Sequence, residues 1–381
     1  MAEAVGPMTR RGALLAGAGL AAAAAGLGAA GPASAAPTRA ERTGAARLTS
    51  WQQAAERVVF SYPGATVPRA LLDLIARGLC GGVILFGDNV VSLSHVTSAV
   101  AEMAAARRRS GLGTPLLVMT DQEGGEVRRL PGGPAQSEKQ IGASADPSAA
   151  AARAGREAGL LLRHAGVNVN LAPVLDVFRT PGDFDDEFQR SYSSDPRVAA
   201  RCGKAFITAQ QACGVAATAK HFPGLGAATQ SENTDLRPVE LSVSASQLHS
   251  VDESPYPAAV GAGVRLVMVS WATYPHLDPH HPAGLSERIV KGELRGRLGF
   301  RGVTVTDAIN AGALSKLGTA AHNAVAAAAA GMDLVIEASR SVAAGQAVAE
   351  GLATALRDRR LDTGDFGAAL GRITALRRTL A

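Results

Sequence analysis

Cysteine is scarce in this 381-residue chain, which has only Cys80, Cys202 and Cys213. An odd count excludes a complete disulfide framework, and no spacing among the three suits a zinc site. If Cys202 and Cys213 share the helix expected over 197–213, they stand about 16 Å apart, too far to bridge. All three are expected as small buried apolar groups. Lysine is also rare, occurring at Lys139, Lys204, Lys220, Lys291 and Lys316, so nearly all of the 38 basic residues are arginine. The positive charges are scattered and not gathered into runs, which argues against a nucleic-acid surface. The chain lacks the G-x-G-x-x-G and Walker spacings that mark phosphate-binding loops. The acidic run Asp183 to Glu187 lacks the alternating ligands and terminal Glu of a calcium loop. It is expected as a solvated loop beside Arg190. No metal and no cofactor are expected.

What the chain does contain is an ordinary globular balance, 47% hydrophobic and 19% charged, at a formal net charge of +5. That excess of basic residues is mild and would suit an anionic polymer such as a cell wall. Arg10-Arg11 follow Thr9 and precede an apolar run from Ala13 to Ala30, and Ala33-Ser34-Ala35 fits an A-x-A cleavage site. Residues 1–35 therefore read as a cleavable twin-arginine-type signal for export to the cell exterior or wall. The run is mostly Ala and Gly, so a stable membrane span is not expected after cleavage. A Pro- and Ala-rich linker follows over 36–50, and residues 51–381 are expected as one domain. Nothing in the sequence calls for an obligate partner, and a monomer is expected.

Eight short apolar, β-rich runs alternate with longer Ala-rich segments of helical character. They are Arg57 to Tyr62, Gly82 to Phe86, Leu116 to Asp121, Val167 to Val177, Ala216 to Phe222, Leu266 to Trp271, Gly302 to Asp307 and Met332 to Glu337. Near-continuous apolar runs suit parallel strands covered on both faces. The intervening segments, such as Leu93 to Arg109 and Pro147 to Ala165, are long enough for crossover helices. Eight such units predict an α/β fold, a single (β/α)₈ barrel, with the first strand its least regular member. Polar groups gather at the C-terminal ends of the runs: Asp121-Gln122-Glu123, Asp176, Lys220-His221, Ser270-Trp271 and Asp307. In a barrel these ends converge on the face that carries the active site.

Four blocks taken in order then carry a resemblance. They are Gly81-Gly82-Val83-Ile84-Leu85-Phe86, Asp121 through Arg129, Lys220-His221-Phe222-Pro223-Gly224, and Thr306-Asp307. Together they resemble family 3 glycoside hydrolases, and within them the single-barrel β-N-acetylglucosaminidases, over about Trp51 to the C-terminus. The resemblance implies a retaining mechanism with Asp307 as nucleophile. Such a carboxylate must be ionised and held about 3 Å below the sugar ring. Position alone allows Asp307 a second role, capping the next helix. The resemblance likewise implies that Asp121, Arg129, Arg190, Lys220 and His221 hold the glycone. Carboxylate and guanidinium groups suit a polyol, whose hydroxyls both donate and accept. Gly124-Gly125 must turn the chain sharply to bring Arg129 back to Asp121. Trp271 could stack on a sugar face or close the barrel.

The general acid/base departs from the family pattern. That branch carries an Asp-x-His pair on the loop after the Lys220-His221 strand, but here no His occurs between His221 and His249. Ser231 and Asn233 stand where the pair would fall, and neither donates a proton at neutral pH. Glu232 and Asp235 are the ionisable groups at hand, and burial over a sugar would raise the pKa of either. The expected function is a secreted β-N-acetylhexosaminidase acting on an oligosaccharide such as a peptidoglycan fragment or chitin oligomer. The altered loop leaves two other readings open. One is a β-glycosidase or phosphorylase of other specificity; the other is a sugar-binding protein without turnover.

Overall fold

The computed structural model describes residues 48–380. The signal segment and nearly all of the linker expected from the sequence lie outside these residues. The first described helix runs from Ser50 to Ala55, where Thr49 and Gln52 form a capping box.

Eight parallel strands close into a barrel. They are β1 (Val58–Phe60), β2 (Gly82–Ile84), β3 (Leu117–Thr120), β4 (Val169–Asn170), β5 (Ala216–Phe222), β6 (Leu266–Val269), β7 (Val303–Ala308) and β8 (Leu334–Ile336). Seven fall inside runs expected from the sequence, and β7 overruns its run, Gly302 to Asp307, by Ala308 alone. Strand side chains alternate between two apolar environments. Val59, Ile84, Leu117, Met119, Val169, Leu266, Met268, Val303, Val305, Leu334 and Ile336 form one buried cluster that fills the barrel. Val58, Phe60, Val83, Val118, Val267, Val269 and Val335 join a second cluster with the surrounding helices. Burial of each such side chain is worth roughly 1.5–3 kcal/mol. A one-residue slip of any strand would exchange the two sets, so register is strongly specified.

The helices obey local end signals. Leu93–Arg109 starts at the Ser92 cap, Pro147–Ala165 at Asp146, and Pro196–Gln211 at Asp195. The second of these stops at Gly166, which takes the left-handed conformation at φ 76°. Ile373 and Leu376 of the last helix, Thr363–Arg378, pack into the barrel cluster. On the same helix Arg377 pairs with buried Glu56, which also holds Arg107 through bonds of 2.6 and 2.9 Å.

Two expectations need correction. The first strand is regular, since β1 pairs in register with both β8 and β2. The irregular strand is β4, whose ladder stops at Asn170 and resumes only as a bridge between Val174 and Lys220. Pro173 has no N–H to contribute to a ladder. The Val174 N–H donates instead to the buried Glu138 carboxylate at 3.1 and 3.2 Å. All three cysteines are free and buried, as expected. Among the described residues no helix is long and apolar enough to cross a membrane.

Candidate active site

The C-terminal ends of β3, β5 and β7 open into one cavity of about 490 Å³. Its lining includes Asp121, Arg129, Arg190, Lys220, His221, Asp235 and Asp307, seven of the eight residues expected from the sequence. Glu232, the eighth, is not among them.

Asp121 ends β3 and leads into a hairpin, Gln122–Gly124 against Val127–Arg128. Gly124 (φ 132°) and Gly125 (φ 56°) make the turn, and a Cβ on Gly124 would lie 2.4 Å from the Gln136 carbonyl oxygen. Buried Gln122 ties the return strand down: its side-chain Oε1 accepts the N–H groups of Arg129 and Leu130 at 3.1 and 3.0 Å. The Arg129 N–H also donates to the Asp121 carbonyl oxygen at 3.1 Å, which brings its guanidinium to within 3.9 Å of the Asp121 carboxylate.

Lys220 lies almost wholly buried on β5 and donates to Asp121 at 2.8 Å and to Glu123 at 2.7 Å. Burial alone would lower its pKa, but the Asp121 and Glu123 carboxylates raise it, so the ammonium stays charged. Arg190 meets Glu123 through two bonds, Nε to Oε2 at 2.9 Å and Nη2 to Oε1 at 3.0 Å. Burial would push Glu123 up, yet Arg190 and Lys220 hold it down at about 2. Glu123 is thus the shared anion that fixes two cavity cations. In the sequence Glu123 stands out only as a polar strand end, and its adjacency to Asp121 in the same block is the available signal.

His221 donates from Nδ1 to the Asp176 carboxylate at 2.7 Å. Burial lowers its pKa to about 4, so the ring is neutral and Nε2 remains an acceptor facing the cavity. Asp176 also accepts the Leu225 N–H at 2.7 Å and meets Asp185 carboxyl to carboxyl. Burial and the Asp176 charge raise Asp185 to about 7, so one proton bridges the pair. Asp185 in turn accepts from Arg190 at 3.3 Å. This overturns the expectation of a solvated acidic loop at 183–187. Asp185 and Asp186 are buried, and Lys139 reaches Asp186 at 2.5 Å. Loop acids that face cations inside a fold look like solvated acids in sequence, because the cations come from remote segments.

Asp307, half-buried at the end of β7, accepts the N–H of Ala308 at 2.7 Å. Burial and then the Asp235 carboxyl raise its pKa, while His221, the Ala308 N–H and Lys220 oppose the rise. Asp235 keeps contact with solvent at the rim, but the surrounding protein raises its pKa, with Asp121 and Asp185 adding to the effect. Glu232 turns back into its own loop, accepting the Thr229 N–H at 2.8 Å and the Thr229 hydroxyl at 2.9 Å. Trp271 is buried and donates from Nε1 to the Ala308 carbonyl at 2.9 Å, so it braces the end of β7 and presents no face to a sugar.

Two His–carboxylate groups among the described residues come close enough for a cation, Asp176–Asp185–His221 and His249–Glu253–Glu293. In the first, the Asp176 oxygens already accept from His221 and Leu225, and Arg190 stands beside it. In the second, Arg297 pairs with both Glu253 and Glu293. Each group is balanced by hydrogen bonds and guanidinium charge.

A closed barrel whose strand ends bring Asp307 together with Asp121, Lys220 and His221 in one cavity carries its polar groups where barrel enzymes carry their active sites. Comparison with known proteins gives the family. The Glycosyl hydrolase family 3 N terminal domain matches residues 58–376, and the chain belongs to this family of glycoside hydrolases. An uncharacterized secreted glycosyl hydrolase of Arthroderma benhamiae is 44% identical over 331 residues, covering 86% of this chain and 93% of the relative. A beta-hexosaminidase of Xanthomonas oryzae is 36% identical over 312 residues, 79% of this chain and 87% of that protein. Among solved structures, a family 3 beta-N-acetylglucosaminidase from a Paenibacillus species superposes with a TM-score of 0.82 at 31% identity. The superposition covers 88% of this chain and 63% of that longer one.

Proposed function

We propose that the protein is an exported, retaining β-N-acetylhexosaminidase that acts as a monomer. It releases terminal N-acetylglucosamine from peptidoglycan fragments or chitin oligomers. The observation that carries this reading is the meeting of Asp121, Arg129, Arg190, Lys220 and His221 with Asp307 in one cavity. The names of the Xanthomonas and Paenibacillus relatives support the N-acetyl sugar. The paired Arg10-Arg11 segment and the secreted Arthroderma relative support export.

In this mechanism Asp307 attacks the anomeric carbon while Asp235 gives its proton to the departing glycosidic oxygen. The carbon–oxygen bond breaks as the ester to Asp307 forms. Asp235, now ionised, takes a proton from water, which attacks the same carbon and frees Asp307. Both carboxyls are raised from the ordinary range, Asp307 by burial and then by the Asp235 charge, and the mechanism requires the proton on Asp235 and Asp307 ionised. Asp235 is preferred to Glu232 because it lines the cavity, whereas the Glu232 carboxylate is occupied by Thr229. Lys220 and Asp121 hold glycone hydroxyls, and Nε2 of the neutral His221, which has Arg190 Nη2 3.5 Å away, accepts from another.

The test is hydrolysis of aryl β-N-acetylglucosaminide, glucoside and xyloside, each with and without phosphate. The expected result is release of N-acetylglucosamine as the β-anomer, independent of phosphate. Asp307→Asn should lower kcat/KM on the order of 10⁴-fold. Preferred turnover of glucoside or xyloside would replace the N-acetyl specificity, and sugar 1-phosphate as product would make the enzyme a phosphorylase. Binding of N-acetylglucosamine with no turnover of any substrate and no labelling of Asp307 would overturn the enzymatic reading.

A further inference from the structure

The loop that carries Asp235 runs from the end of β5 to the rim of the cavity, and its backbone is seated at two places. Near its start, the Gly226 carbonyl accepts the Arg179 N–H at 3.1 Å, and the Ala228 carbonyl accepts the Phe184 N–H at 3.2 Å. A Cβ on Gly226 would lie 2.0 Å from the Val177 carbonyl oxygen. At its far end, the Gly312 N–H donates to the Asp235 carbonyl at 2.8 Å, and the Ala313 N–H donates to the Thr234 carbonyl at 2.9 Å. Thr234 is buried between them. A Cβ on Gly312 would lie 2.3 Å from both the carbonyl carbon and the oxygen of Leu236, and 2.8 Å from the Asp235 oxygen. All of those neighbours are backbone, so nothing can rotate out of the way. Between the two seats the chain is held by its own short-range bonds, Thr229 with Glu232 and Ser231, and the Asp235 N–H to Asn233 Oδ1.

Gly312 stands five residues after Asp307 and opens the short 3₁₀ turn Gly312–Leu314. The start of that connection is itself anchored, by Trp271 on the Ala308 carbonyl. One short segment therefore bears Asp307 at one end and the seat of the Asp235 backbone at the other. We propose that Gly312 is a positioning residue: its missing side chain lets the Asp235 backbone dock on the turn after β7, which sets the Asp235 carboxyl relative to Asp307. The inference rests on Asp235 as the acid/base. Retaining chemistry needs its two carboxyls about 5–5.5 Å apart, and a misplacement of about 1 Å can cost 10²-fold. Restoring ordinary contact around a new methyl group would require a retreat of about 1 Å.

The experiment compares kcat/KM for two aryl β-N-acetylglucosaminides, a 2,4-dinitrophenyl glycoside that leaves without protonation and a phenyl glycoside that needs it. Gly312→Ala should lower the phenyl value about 10²-fold and the dinitrophenyl value less than about threefold. Ala313→Pro, which deletes the N–H to Thr234 without placing a Cβ on Gly312, should show the same selectivity. The rate at which a 5-fluoro glycosyl fluoride labels Asp307 should be unchanged in both, which reports an intact nucleophile and glycone site. Equal loss on both glycosides, or no loss on either, would overturn the positioning role. Asp235→Ala is run beside them. If it shows no leaving-group dependence, the acid/base assignment fails. If it shows that dependence while Gly312→Ala and Ala313→Pro behave as wild type, only the brace fails.

Discussion

Glu123→Gln tests the claim that one buried anion organises the two cavity cations, Lys220 and Arg190. Glu123 is 1% exposed and takes three charge-assisted bonds, two from Arg190 and one from Lys220. Its pKa falls from an ordinary 4.5 to about 2 in the folded protein. That difference corresponds to about 3 kcal/mol of stability at neutral pH. The same size follows from breaking a buried ion pair by removing one partner, roughly 3–5 kcal/mol. The sign follows from linkage. Because the folded pKa is depressed, the contribution is present above about 4.5 and drains away as pH falls towards about 2. Urea unfolding at pH 7 should therefore place the variant about 3 kcal/mol below wild type, and the gap should narrow by about 1.4 kcal/mol at pH 3.5. The same variant should raise KM for the sugar more than it lowers kcat, because Lys220 and Arg190 lose their common anchor. A loss below about 1 kcal/mol, or a gap that stays constant with pH, would refute the reasoning.

Two further outcomes follow from the same network. Asp185→Asn should keep activity, since an amide can donate to Asp176 and accept from Arg190 as the protonated acid does. Asp185 is raised to about 7, so wild type loses stability as pH climbs from the unfolded value of 3.8 towards 7. The variant escapes that loss and should gain on wild type by about 1.4 kcal/mol per pH unit across the window, levelling off above it; a pH-independent difference would contradict the shared proton. Trp271→Phe removes the donor to the Ala308 carbonyl and should cost about 1–3 kcal/mol in thermal unfolding, with kcat falling more than KM changes. A rise in KM alone would instead make Trp271 a sugar-stacking residue.

The parts of the fold legible in the sequence are those whose signals are local. All eight strands coincide with the expected runs, β7 passing the end of its run by one residue, because each is a continuous apolar stretch flanked by polar punctuation. The helix Pro147–Ala165 matches to the residue because Asp146 caps it and Gly166 ends it. The site residues at strand ends were equally visible, and Asp121, Lys220, His221 and Asp307 all share the cavity, where Arg129, Arg190 and Asp235 join them from loops. Other features were hidden because their causes are remote in the chain. The break in β4 depends on Glu138 reaching Val174. The burial of Asp185 depends on Asp176 and Arg190, and that of Asp186 on Lys139. Glu232 and Asp235 look alike three residues apart, and what separates them is a pair of backbone bonds from Gly312 and Ala313, nearly 80 residues onward.

By itself the sequence determined the barrel, the order of its strands and which strand ends carry polar chemistry, because apolar periodicity and end signals act over a few residues. Only the tertiary structure decided protonation and partnership. It made Glu123 the common anion, left His221 neutral, set one proton between Asp176 and Asp185, and turned Asp235 to the cavity while Glu232 folded back. Those outcomes depend on burial and on charges brought together from distant segments, and neither quantity is written in any local stretch of chain.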